Sequence, residues 1–210
     1  MTTAYQTIAH EAAQEFVERR SRFIGYAKPV RTEEEALAFL EEIRTRHWDA
    51  THNVFAYSLR QGNLRRYSDD GEPQGTAGVP VLDVLQKSGV TDAVLVVTRY
   101  FGGVLLGAGG LVRAYSHAAS LALQAGEVIT MQLCKTARVM CDYNQYGRVS
   151  SLIPECGGVV DDTQFTDCVQ LTFHMTEEQL SALSRRLADA TCGQVSPELL
   201  GELYIEHAIC

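Results

Sequence analysis

Two neighbouring stretches decide how this chain is read: Ser68–Pro80, SDDGEPQGTAGVP, and Val96–Tyr115, VVTRYFGGVLLGAGGLVRAY. The first is a polar turn. The second opens as the end of a strand, because Ala93–Thr98 is a continuous β-branched and apolar run of the kind buried on both faces. It then crosses a glycine loop and enters a helix expected from about Leu111 to Gln124, which Gly126 closes. Glycines at 75, 78, 102, 103, 107, 109 and 110 stand beside Asp69, Asp70, Glu72, Arg99 and Arg113. Glycine at that density permits positive φ and lets backbone approach backbone or ligand closely. Charges set among such glycines mark a surface built to recognise something, by chemistry or by binding alone.

Upstream, Thr32–His47 reads as a helix. Thr32 is its N-cap, Glu33–Glu35 fill the first turn where the macrodipole favours acids, and Leu37, Leu40 and Ile43 recur at helical spacing. Asn53–Leu59 alternates as a strand, with a partner near Arg65–Tyr67 across a Gln61–Asn63 turn. Gly75–Ser88 is expected as a helix, since Pro80 is tolerated in its first turn and Gly89 stops it. After Met131 the elements run strand (Met131–Cys141), helix (Asn144–Glu155), strands (Val159–Phe165 and Val169–Met175), helix (Thr176–Ala190) and strand (Leu200–His207). Thr176 and Gln179 form a capping box at the start of the last helix. This βαββαβ order is that of ferredoxin-like folds. The expected class is α+β in two domains, 1–128 and 129–210.

Composition narrows the functional classes. The 210 residues suffice for a buried core, and no run of about eighteen apolar residues suggests a membrane span. The N-terminus lacks a basic flank followed by an apolar core, so no signal peptide is read and a cytoplasmic protein is expected. Cysteines at 134, 141, 156, 168, 192 and 210 form no CxxC pair and read as free thiols or small hydrophobes. Residues 1–130 hold 13 Lys and Arg against 15 Asp and Glu, whereas residues 131–210 hold 5 against 11, so most of the net charge of −8 lies in the second part. That acidity argues against phosphate neutralisation by the second domain.

Arg20-Ser21-Arg22-Phe23-Ile24, Asp49-Ala50-Thr51-His52-Asn53, Ser68–Pro73 with Gly75-Thr76-Ala77-Gly78, and Arg99–Gly103 with Leu106-Gly107 resemble the IMPACT family, its bacterial YigZ branch most nearly. The likeness runs along essentially the whole chain. It implies a first domain similar to domain IV of elongation factor G and to the second domain of a small-subunit ribosomal protein. The second domain would resemble the ferredoxin-like domain V of the same factor. Eukaryotic members restrain the amino-acid-starvation kinase that controls translation initiation by competing for its activator, and they carry an additional RWD domain.

The residues leave several site readings open. Gly103, Gly107, Gly109 and Gly110 belong to the Gly102–Gly110 loop, which ends at a helix N-terminus suited to an anion. The loop has neither a GxxxxGK[ST] pattern nor a lysine, and the structural reading, close packing under the Ser68–Gly78 turn, is preferred. Asp69, Asp70 and Glu72 have the chemistry for Mg²⁺ or for acid–base work. The structural alternative is Asx-turn and N-cap bonding, with Glu72 paired to Arg99 or Arg113. His52 lacks a partner nucleophile and reads as a hydrogen-bonded structural residue. Arg65 and Arg66, with Arg19, Arg20, Arg22, Arg60, Tyr67 and Tyr100, would track a nucleic-acid backbone if they shared a face. The second domain lacks the aromatic pattern of RNA-reading sheets. The expectation is a non-catalytic binding or regulatory protein linked to translation, without cofactor, metal or membrane attachment, whose first domain engages RNA, the ribosome or a translation-associated protein. The alternative is a small-molecule enzyme or nucleotide/phosphate binder using the Gly102–Gly110 loop and the Asp69/Asp70/Glu72 cluster. A purely protein-binding module would instead show an exposed apolar patch.

Overall fold

The computed structural model describes residues 3–207, so Cys210 and the last residues of the second domain lie outside the described residues. The chain divides into two compact units: Tyr5–Thr130, and the described residues after Thr130 together with Thr3 and Ala4. Both are mixed helix and sheet, which makes the class α+β.

The first unit is built on an antiparallel sheet ordered β2 (Ala12–Glu18), β3 (Ser21–Pro29), β6 (Ala93–Tyr100), β4 (His52–Leu59), β5 (Leu64–Ser68). β6 occupies the centre because every second residue serves a different core. Val94 and Val96 face α1 (Glu33–Arg46), whose Phe39, Leu40 and Ile43 pack there with Ile24, Tyr26 and Tyr57. Leu95 and Val97 face α2 (Gly78–Lys87) and α3 (Ala108–Ala125), where they meet Val81, Leu85, Tyr115 and Ala118. Helix α1 begins as its sequence requires, with Glu35 N–H donating to Thr32 Oγ1 at 3.2 Å.

Two helix starts differ from expectation. Residues 75–77 belong to the turn and α2 begins at Gly78, because Asp69 binds the backbone N–H groups of Gly75, Ala77 and Gly78. Helix α3 starts at Ala108, earlier than expected, since its first turn consists of small residues with no amphipathic signal. Three strands unannounced by periodicity open the chain: β1 (Ala4–Ile8), β2 and β3. β2 is an edge strand with five of its seven residues exposed, so it lacks alternation.

In the second unit, β7 (Val128–Cys141), α4 (Tyr143–Glu155), β8 (Val159–Phe165), β9 (Val169–Met175), α5 (Glu177–Thr191) and β10 (Glu198–His207) follow the ferredoxin-like order. β7 pairs with β9, with β10 and with β1, and β9 pairs with β8. Val149, Ile153, Leu183 and Leu187 of the two helices close on Ala137, Val139, Leu171 and Phe173. The capping box is present, Thr176 Oγ1 accepting from Gln179 N–H and the Gln179 side chain accepting from Thr176 N–H. No helix among the described residues is long and apolar enough to cross a membrane.

Candidate functional site

The two signature stretches meet at one end of the first unit's sheet, where β5 leaves and β6 ends. Their polar groups are largely spent on one another. Asp69 Oδ1 accepts from Ala77 and Gly78 N–H (3.1 and 2.8 Å) and Oδ2 from Gly75 N–H (2.8 Å), so this carboxylate closes the turn and caps α2. Asp70 Oδ2 accepts from Asn53 N–H at 2.6 Å, and its Oδ1 meets Arg44 at 3.3 Å. His52 Nδ1 lies 2.7 Å from the Asp70 carbonyl. A carbonyl only accepts, so Nδ1 carries the proton and Nε2 faces Glu72 Oε1 at 3.7 Å.

Glu72 and Arg99 form the centre, both at least nine-tenths buried. Arg99 Nη1 donates to Glu72 Oε1 at 2.5 Å, and the Tyr115 phenol donates to the same oxygen at 2.7 Å. Burial first, and the neighbouring carboxylate second, push the Tyr115 pKa far upward, so it stays a donor. Arg99 Nη2 reaches Ser21 Oγ at 3.4 Å, and Gly102 N–H donates to that hydroxyl at 3.2 Å. The Arg99 guanidinium lies 5.4 Å from the ring centres of both Phe23 and Phe101. Four separated motifs thus converge on one buried ion pair.

The glycine loop is shaped by close approach. A Cβ at Gly102 would stand 2.0 Å from the Arg20 carbonyl carbon and oxygen, so the loop lies directly on the β2–β3 turn. Gly107, at φ 71°, provides the sharp entry into α3 and caps it without a side chain. Between them Phe101 and Leu105 remain 46% and 81% exposed. They wall an open cavity of about 390 Å³, with His52, Glu72, Arg99 and Leu106 among its other lining residues.

Other candidate residues lie elsewhere. Arg113 does not pair with Glu72; it is exposed on α3, beside a separate cavity. Gly109 and Gly110 form the first turn of α3, and Gly103 sits in the loop at φ 81°. The β4–β5 register pairs Tyr57 with Arg66 and Ser58 with Arg65, so the two arginines point to opposite faces of an edge strand. Arg22 lies on β3, salt-bridged to Glu15 at 2.6 Å and set over the Tyr100 ring. The basic residues therefore share no single face. Among the described residues no group of three or more His, Cys, Asp or Glu is placed to hold a metal.

Tyr115 and Ser21 are the members of this network that residue-type reasoning passed over. Tyr115 was detectable as a phenol on the apolar stripe of a helix, which must find a partner when buried. Ser21 carried no such mark. Also unanticipated is a relay on the opposite sheet face: His47 Nε2 is 2.5 Å from the Tyr26 hydroxyl, Nδ1 is 2.8 Å from the Tyr100 hydroxyl, and Tyr100 donates to Asp49 at 3.1 Å.

Comparison with known proteins supplies the context. Residues 19–123 match the Impact N-terminal domain, and residues 139–194 match a domain of unknown function, DUF1949. The chain is 37% identical over 211 residues to IMPACT family member YvyE of Bacillus subtilis, covering all of this chain and 97% of that protein. It is 34% identical over 180 residues to IMPACT family member YigZ of Escherichia coli, covering 84% and 88%. Protein IMPACT of Bos taurus is 34% identical over 96 residues, 43% of this chain and 30% of that one. A crystal structure of a hypothetical protein superimposes with a TM-score of 0.61 at 31% identity, over 96% of this chain and 98% of that one.

Proposed function

The chain belongs to the IMPACT family, and from that premise we propose that it is a non-catalytic regulatory protein of translation that takes up a protein partner at the Phe101–Leu106 loop. One observation carries this reading: Asp69, Asp70, Glu72 and Arg99 are bonded within the fold, while Phe101 and Leu105 beside them face solvent. Asp69 is consumed by three backbone N–H groups, Asp70 by Asn53 and Arg44, and Glu72 by Arg99 and Tyr115. A general acid or base needs an uncommitted proton or lone pair aimed at the reacting group. Exposed Phe101 and Leu105 beside a cavity are instead the kind of surface that anchors a partner protein. Trp48, the single tryptophan, is 84% exposed three residues before Thr51, which also lines the cavity. The link to translation rests on the family, whose eukaryotic members regulate it.

RNA as the direct partner is the weaker reading, because Arg22, Arg65 and Arg66 are distributed over both sheet faces. The test is affinity capture from cell extract, at low and high salt and with nuclease. Translation-associated proteins should be retained after nuclease treatment and at high salt, and lost with Leu105→Asp. Leu105 is exposed, so this substitution should leave the melting temperature unchanged. If no translation component is retained under any condition, the proposal fails. If capture vanishes with nuclease, the partner is nucleic acid.

A further inference from the structure

A second cavity of the first unit, of about 230 Å³, lies between the β2–β3 turn and α3 and is lined by the basic side chains Arg19 and Arg113. Phe16, Glu18, Arg19, Leu106, Arg113 and His117 are among its lining residues, so two guanidinium groups face one carboxylate. Arg113 and His117 stand at i and i+4 on α3 and so present to the same side. Among the described residues Arg113 has no acidic group within ion-pair distance, and Arg19 has only a loose approach to Glu18 at 3.9 Å, both half-exposed. The Arg113 guanidinium folds over the first turn of α3, 3.7 Å from where a Gly109 Cβ would stand. The imidazole of His117 meets the Phe16 ring edge-on at 4.8 Å, which gives the cavity an aromatic floor.

The turn itself breaks the local rules. Glu18 pairs with Ser21, so the loop is the two residues Arg19 and Arg20, at φ 44° and 68°. Such a turn normally takes Asn-Gly, because both central residues must adopt positive φ. Two arginines held there, with the turn pinned from behind by Gly102, present guanidinium groups at a cost that a purely structural hairpin would avoid.

We propose that this cavity binds a phosphate monoester, a single dianionic phosphoryl group held between Arg19 and Arg113. Paired guanidiniums match the oxygens of a phosphoryl group with two parallel bonds each. The volume lies below the roughly 300 Å³ at which small-molecule sites begin, which suits a phosphoryl group with a few attached atoms and excludes a whole nucleotide. A phosphodiester chain would need cations in a continuous track. Here the sheet order places Arg65 and Arg66 on β5, at the edge opposite β2. The phosphoryl group comes either from a small organic phosphate or from a phosphorylated side chain of a partner.

The full-length protein is titrated by calorimetry at low salt with inorganic phosphate, O-phosphoserine, a phosphoserine peptide, and a single-stranded RNA lacking a terminal phosphate. Saturable binding of the monoesters is expected, with Arg113→Gln and Arg19→Gln each at least tenfold weaker, and Arg65→Gln and Leu105→Asp unchanged. Because Leu105→Asp disables the other cavity, the two readings fail separately. A phosphoserine peptide binding tenfold more tightly than O-phosphoserine identifies a protein source, and equal affinity identifies a small phosphate. No saturable binding of any monoester overturns the proposal, as does binding indifferent to Arg113→Gln. RNA binding as tightly as the monoesters, with dependence on Arg65, overturns it in favour of a nucleic-acid surface.

Discussion

The phenol of Tyr115 on α3 donates to Glu72 Oε1 at 2.7 Å, the same oxygen that Arg99 of β6 binds at 2.5 Å. The turn, the central strand and the helix following the glycine loop are thereby tied to one buried carboxylate. Removing one partner of such a pair costs far more than the pair is worth net, because the survivor is left charged without solvent. Glu72→Ala should destabilise by about 3–5 kcal/mol in urea unfolding, leaving Arg99 unpaired. Tyr115→Phe, which removes only a neutral donor, should cost about 1–2 kcal/mol. The Glu72→Ala/Arg99→Ala double variant should lose less than the sum of its single variants. Strictly additive losses would mean that the two side chains do not act as a unit.

Tyr57 gives an alkaline signature. It is almost fully buried, and its hydroxyl donates to the Glu33 carboxylate. Burial first, then that carboxylate, push its pKa up to about 12. The folded value lies above the unfolded one near 10, so the contribution to stability is complete below pH ~10 and lost as pH rises through the folded value. Ultraviolet difference titration of the native protein should show Tyr57 ionising well after an unperturbed tyrosine. Tyr57→Phe should remove that late proton, and Glu33→Gln should bring it down. A titration curve unaltered by Tyr57→Phe would contradict the assignment.

The backbone of the glycine loop yields a paired prediction. Ala at Gly102 would place its Cβ 2.0 Å from backbone atoms of Arg20, which cannot move without displacing the β2–β3 turn. Gly102→Ala should destabilise by at least about 1–3 kcal/mol, a fall in melting temperature of several degrees for a chain this size. Gly109→Ala meets only the flexible end of Arg113 at 3.7 Å, within a helix where alanine is favoured. It should be neutral or stabilise by up to about 1 kcal/mol. Equal effects of the two substitutions would rule out close approach as the reason for Gly102.

How much of this was legible follows from where each signal resides. The β8–β9 hairpin and the caps Thr32 and Thr176 were readable because their causes are local: alternation, a side-chain acceptor and a Gln three residues on. β3 was not, since Gly25 interrupts its apolar run and both of its faces are covered, which erases alternation. At the site, the sequence marked Asp69, Glu72 and Arg99 as charged residues among glycines. It could not choose between Arg99 and Arg113 for Glu72, because that choice depends on which one the sheet turns inward. Nor could it reveal that Arg65 and Arg66 diverge, although strand alternation alone separates adjacent residues once the strand is accepted.

The His47 relay sets the acid side of the stability curve. Tyr100 gives its only proton to Asp49, so His47 Nδ1–H must donate to the Tyr100 oxygen. Nε2 is then bare and accepts from the Tyr26 hydroxyl. The arrangement requires a neutral ring, and protonating Nε2 would set a donor against a donor. Burial first, then the charges of Arg46 and Arg22, lower the His47 pKa below its ordinary 6.5. With the folded value below the unfolded one, the unfolded chain binds the proton first as pH falls. The stability that His47 contributes is therefore complete above about pH 6.5 and lost as pH drops through the folded value. Urea midpoints measured from neutral to mildly acidic pH should fall more steeply for the native protein than for His47→Gln, whose side chain has no proton to gain. Parallel slopes in the two proteins would show that His47 binds its proton equally in the folded and unfolded chain. A shallower fall in the native protein would mean a ring charged in the fold, with Nε2–H donating to the Tyr26 hydroxyl while Asp49 still accepts from Tyr100.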